Sequence, residues 1–201
     1  ALAVDGGGSG DEKYDSLLKF DISLLDTSRH VESVKLKLYA VTSCSAGGLF
    51  SSTLSDQEWE SDTVTWTTAP KTDGHAITTL GQVMQGQTIN VDLSSATPWN
   101  EATSSSSSFK YLTIRIESNE HSRCLYSSLD GESPTLEIKY KQETATTSEG
   151  LIEESLMTIA HGDFLELGAT DDATVVAIQS DRNFGQEPDL LAAYDSSTRG
   201  I

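Results

Sequence analysis

The sequence is short of positive charge, cysteine and long apolar runs, and each shortage removes a class of function. Thirteen Lys and Arg stand against 31 Asp and Glu, for a formal net charge of −18. A surface that negative repels phosphate backbones and anionic lipid headgroups, which argues against nucleic acid and bilayers as partners. No apolar run approaches the ~20 residues of a spanning helix, so no membrane insertion is expected. Two cysteines cannot supply a four-ligand zinc site, and Cys44 and Cys124 form no Cys-x-x-Cys pair. The histidines His30, His75, His121 and His161 are scattered and match no His-Glu-x-x-His spacing. A Gly-x-Ser-x-Gly elbow, a Cys-His nucleophile context and a phosphate-cradling loop are all missing. Acids are too numerous for a catalytic carboxylate pair to stand out. The chain therefore reads as non-enzymatic.

What is present is two-residue alternation. Leu18, Phe20 and Ile22 alternate with Lys19, Asp21 and Ser23; Val34, Leu36, Leu38 and Ala40 alternate with Lys35, Lys37 and Tyr39. Successive strand side chains point to opposite faces, so each run buries one face and wets the other. The polar link Leu24 to Arg29 suits a turn between neighbouring strands. Leu2 to Val4 is a short apolar run, and further strands are expected at Thr63 to Thr67 (stopped by Pro70), Ile77 to Met84, Thr88 to Leu93, Tyr111 to Glu117 and Leu136 to Tyr140. Short strands divided by turn residues predict an all-β, antiparallel sandwich. Cys44 and Cys124 each lie just beyond a predicted strand and are read as a disulfide rather than two free thiols. Such a bond implies an oxidising, extracellular setting.

The organisation divides into a body at 1–141, a linker or packed segment at 142–168, and further strands at 169–201. Gln142 to Ser148 is polar and low in complexity, while Leu151 to Ile159 fits either an amphipathic helix or a strand. In the tail, Ala173 to Ile178 reads as a strand and Asp181 to Gly185 as a turn. Ala193-Tyr194-Asp195 then echoes Ala3-Val4-Asp5. The offset of about 190 residues suggests one structural period cut out of phase.

Several of these segments resemble the DNRLRE-domain family. They are Ser16 to Ser23 followed by Val34 to Tyr39, the Trp59…Thr63-Val64-Thr65-Trp66…Ala69-Pro70 segment, Ser133 to Ile138, and Ala173-Thr174-Val175 with Asn183-Phe184-Gly185. The resemblance implies a jelly-roll-like β-sandwich, secreted and often repeated. It also implies kinship with carbohydrate-binding modules attached to enzymes acting on acidic polysaccharides such as alginate. The family's opening strand is missing before Ala1 and is expected instead from the C-terminal segment, of this chain or of a neighbouring copy.

Candidate sites follow. Ala173, Val175, Ala177 and Ile178 would carry strand complementation at an open sheet edge. Asp181 and Asn183, in an Asp-x-Asn-x-Gly run, resemble the front of a calcium loop but lack its later bidentate Glu; Asp5 and Asp11, with Glu12 and Asp15, form a second candidate. An ordinary polar turn fits either stretch. Trp59, Trp66 and Trp99 offer rings on which sugars could stack, with Trp59 and Trp99 the better candidates, and core or rim packing is the expected role for each. Ser104 to Ser108 and Thr144 to Ser148 are polar loops open to O-linked sugars.

Two functions are consistent with this reading. The first is a repeating extracellular module of a fibre or adhesin, joined head to tail to copies of itself by strand complementation. The second is a carbohydrate-binding module for an extracellular polysaccharide, with calcium between two anions if the sugar is acidic.

Overall fold

The inward-facing aliphatic positions found by alternation do pair into sheets, but not in the order the chain suggests. The computed structural model describes residues 1–7, 12–26, 28–55, 58–72, 77–95, 109–128, 132–141 and 164–177. Among them run β1 (Leu2–Val4), β2 (Tyr14–Asp21), β3 (Val31–Tyr39), β4 (Gly48–Ser55), β5 (Thr78–Leu80), β6 (Thr88–Asp92), β7 (Tyr111–Glu117), β8 (Cys124–Tyr126), β9 (Thr135–Tyr140), β10 (Phe164–Gly168) and β11 (Asp171–Val176). All pairings are antiparallel, and the chain is an all-β sandwich.

A five-stranded sheet, β11-β2-β7-β4-β5, faces a four-stranded one, β10-β9-β3-β6; β1 and β8 form a small third sheet. Between the large sheets lies the main core. Leu18, Phe20, Phe50, Leu112, Ile114 and Ile116 come from one side, and Val34, Leu36, Leu38, Val91, Leu136 and Ile138 from the other. Each of these is at most 3% exposed, so the period-two reading holds for the apolar faces of β2, β3, β7 and β9, whereas β4, with Phe50, falls in a stretch that reads as polar in the sequence.

Two expectations are corrected. The runs now called β2 and β3 are not hairpin neighbours: β2 pairs with β7 and β11, and β3 with β6 and β9. Their connection crosses the core, because both present an apolar face and the two faces pack on each other. Thr63 to Thr67 is not a strand. The N–H groups of Thr63 and Val64 donate to the Glu60 carbonyl, and that of Ala69 donates to the Thr65 carbonyl at 2.8 Å. The Thr65 N–H donates to the Thr68 hydroxyl at 2.9 Å. Such local bonds compete with sheet pairing and win here over the β-propensity of Val, Thr and Trp.

The disulfide is present, joining Cys44 to Cys124 across 80 residues with 5.4 Å between Cα atoms. Beside it, Gly48 has a φ of +116°, and an added Cβ would stand 2.9 Å from Ile116 Cγ2 and 3.2 Å from the Glu117 carbonyl. Only glycine lets β4 approach β7 so closely at that point.

The C-terminal strands close the sandwich. β10 pairs with β9 at the edge of the four-stranded sheet, and β11 pairs with β2 at the edge of the five-stranded one. Ala169 and Thr170 carry the chain between them, their N–H groups donating to Pro134 and Lys19 carbonyls at 3.0 and 2.8 Å. The β2 edge is thus paired within the chain, and the Ala177 N–H extends the pairing to the Lys13 carbonyl. Ala173 and Val175 are buried in this position. Ile178 lies outside the described residues, as do the 151–159 segment and the tail echo at 193–195.

Candidate functional site: the covered outer face of the five-stranded sheet

Along β2, Tyr14 through Phe20 are all buried, so alternation there separates two dry faces rather than a dry and a wet one. The outer face carries Asp15, Leu17 and Lys19, and register sets their neighbours. Asp15 lies opposite Val175, Leu17 between Ala173 and Arg115, and Lys19 between Asp171 and Thr113; Arg115 in turn lies opposite Ser51. The expectation that Lys19 is wet is corrected, since the residue is 1% exposed.

The cover is the run of turns at 58–71. Trp59, Val64 and Ala69 are buried with Leu17, Ala173 and Val175 in one apolar cluster, and Trp66 packs against it, half-buried. The first turn of this cap is fastened by charge. Lys19 Nζ donates to the Trp59 carbonyl at 2.5 Å and pairs with Asp171 Oδ2 at 2.6 Å. It lies 5.3 Å from the Trp59 ring centre and 5.2 Å from that of Tyr111. Asp171 Oδ1 accepts from the Ser61 N–H at 3.5 Å, and Trp59 Nε1 donates to Thr113 Oγ1 at 2.9 Å.

At the other end of the cap stands Trp66. The Arg115 guanidinium lies 5.1 Å from its ring centre and Lys13 Nζ 5.8 Å. Arg115 donates to Asp15 Oδ2 through Nε at 2.9 Å and Nη2 at 2.5 Å. Lys13 lies 3.8 Å from Asp15 and 3.6 Å from Glu117. Burial pushes the Asp15 carboxyl above its ordinary value, and the Arg115 charge works against that rise. Asp15 Oδ1 and the Ser51 hydroxyl are buried with no hydrogen-bond partner. The half-buried Trp66 ring and the Arg115 and Lys13 cations beside it are the groups of this cluster that reach solvent, while Asp15 and Ser51 lie buried beneath them.

The sequence-predicted sites fare unevenly. Trp59 is 8% exposed, with its indole N–H already engaged, so it packs the cap and offers no open ring. Trp66, ranked behind it, is the ring at the surface. Asp5 is buried, pairing with Arg123 at 3.3 Å and His121 at 3.6 Å and accepting from the Gly7 N–H. Asp15 belongs to the Arg115 cluster instead, so the two acids do not converge. Among the described residues no three His, Cys, Asp or Glu side chains gather to hold a metal. Trp99, Asp11, Asp181, Asn183, His75 and His161 lie outside the described residues, as do Ser104 to Ser108 and Thr144 to Ser148. Lys19, Arg115 and Asp171 escaped sequence reading, because their partners are 40 to 152 positions away and no local pattern marks them.

Residues 1–140 match the model of carbohydrate-binding module family 96. A search of curated proteins found no match.

Proposed function

The chain belongs to carbohydrate-binding module family 96, and from that premise we propose that it is a non-catalytic, extracellular module that holds a polysaccharide on the outer face of its five-stranded sheet. The single observation that carries the placement is the half-buried Trp66 ring flanked by the partly exposed Arg115 and Lys13 cations on the cap over this sheet. Sugar rings stack their apolar face on indole while their hydroxyls take hydrogen bonds from fixed polar groups. The disulfide fits an oxidising compartment. No helix among the described residues is long and apolar enough to cross a membrane.

Affinity electrophoresis through gels containing neutral or acidic polysaccharides, each with calcium or with chelator, tests the reading. Retardation by one of them that is lost in Trp66→Ala and kept in Phe164→Ala supports it. Phe164 is a control because it is 58% exposed on the other sheet. Free migration in every gel, or retardation that Trp66→Ala leaves intact, contradicts it. A dependence on calcium would return Asp5, Asp11, Asp181 and Asn183 to consideration as ligands.

A second reading rests on the placement of β10 and β11. They sit at the outer edges of two different sheets and would fill the same edges of a neighbouring copy, joining modules head to tail. Light scattering across a wide concentration range checks this: a rising mass supports exchange between copies, and a constant monomer mass removes it.

A further inference from the structure

The cap that carries Trp66 has no strand pairing of its own. Its attachment to the sheet combines apolar contacts, the Trp59 Nε1–Thr113 Oγ1 hydrogen bond, the Arg115 and Lys13 cations beside Trp66, and a charged fastening at its foot. The apolar contacts, from Val64 and Ala69, include Ala173 and Val175 of β11. The charged fastening runs through Lys19. Its side chain is 2% exposed, and its ammonium is held by the Trp59 carbonyl on the cap and the Asp171 carboxylate on β11. Asp171 then reaches the cap again through the Ser61 N–H. The only other acid within ion-pair range of Lys19 among the described residues is Glu58, at 3.9 Å and with a 60% exposed side chain. A buried ammonium that loses its close carboxylate is strongly disfavoured, so the cap's foot and β11 depend on the same charge pair.

We propose that Lys19 and Asp171 are positioning residues. They hold the 58–69 cap, and Trp66 with it, against the sheet, so the polysaccharide surface is completed by the C-terminal strand. Asp171 lies beyond the 1–140 span matched to the family, and the functional module therefore reaches at least to β11. The inference rests on the placement of the polysaccharide at Trp66 for its consequence in binding, but not for its consequence in local order.

The experiment is Asp171→Asn in the full chain, followed by amide hydrogen exchange with mass spectrometry and by affinity electrophoresis in whichever polysaccharide gel retards the parent. The side chain keeps its shape and loses its charge. Exchange at 59–69 should rise about tenfold, the effect of losing one charge-assisted hydrogen bond, while β3 and β9 keep their protection. The apparent affinity for polysaccharide should fall by the factor by which the closed-cap fraction falls, which reaches tenfold only once the open cap is the majority state. Asp171→Glu retains the charge and should restore both readouts to within about threefold, which also guards against a folding failure of the Asn variant. Lys139→Ala, which breaks an exposed pair with Glu32 on the opposite sheet, should change neither. Unchanged exchange at 59–69 in Asp171→Asn overturns the positioning role. Raised exchange with unchanged retardation upholds it, and the placement of the sugar is overturned separately by retardation that survives Trp66→Ala, so the two failures are distinguishable.

Discussion

The two faces of the five-stranded sheet are both dry, yet they exclude water by different means. The inner face does so with aliphatic side chains from facing strands, non-directional contacts that tolerate many arrangements. The outer face does so with Lys19, Arg115 and Asp15, each held by a partner from another element, beneath a cap of turns and the last strand. The inner face makes the fold. The outer one holds paired charges and a half-buried indole ring.

Substitutions on each face sharpen that contrast. On the inner face, Phe20→Ala should lower the unfolding free energy most, by about 3–5 kcal/mol through lost transfer energy and a cavity, measured by denaturant titration. Restoring charge balance elsewhere should not rescue it. On the outer face, Arg115→Ala strands the buried Asp15 carboxylate and should cost about 3 kcal/mol. Here rescue is expected: Asp15→Asn in the same chain should recover most of the loss. Equal loss in the single and double variants would mean that packing, not charge, governs both faces.

Smaller effects separate by pH. Burial raises the Asp15 carboxyl in the folded chain, so over a window opening near pH 4 the unfolded chain binds fewer protons than the folded one. The stability due to this group is full below that window and is lost as pH rises through the folded value. Asp21 and Asp92 behave oppositely: hydrogen bonds from Ser23 and Ser94 lower their carboxyls, so their contribution is present above about pH 4 and lost as pH falls. Denaturant midpoints from pH 2 to 7 should show both slopes, and Asp15→Asn should remove only the upper one. The smallest stability effect is expected for Trp66→Ala, about 1 kcal/mol from lost cation–π contact, although it should lose polysaccharide retention altogether. A much larger melting shift would make Trp66 a packing residue like Trp59.

Legibility followed the same division. Period-two alternation located Leu18, Phe20, Leu36 and Ile114 correctly because the core needs only apolarity at the right parity. Ala173 to Ile178 also reads as a strand, and the structure has one at Asp171–Val176, in which Ala173 and Val175 are buried. Alternation carries no information on which strands pair, so β2 and β3 read as a hairpin although they face each other across the core. Lys19 read as solvated because burial of an ammonium depends on Asp171 and the Trp59 carbonyl, both distant in sequence. The Trp59 to Pro70 segment was recognised as a unit, but its β-propensity hid the threonine-stabilised turns. Those turns bury Trp59 and leave Trp66 at the surface.

The most direct test of the account follows the three indole N–H signals of the ¹⁵N-labelled chain during titration with the polysaccharide that retards it. If the covered face is the binding surface, the Trp66 signal shifts first and furthest and the Trp59 signal follows weakly. A titration to saturation in which the Trp66 signal does not move would place the ligand elsewhere and contradict it.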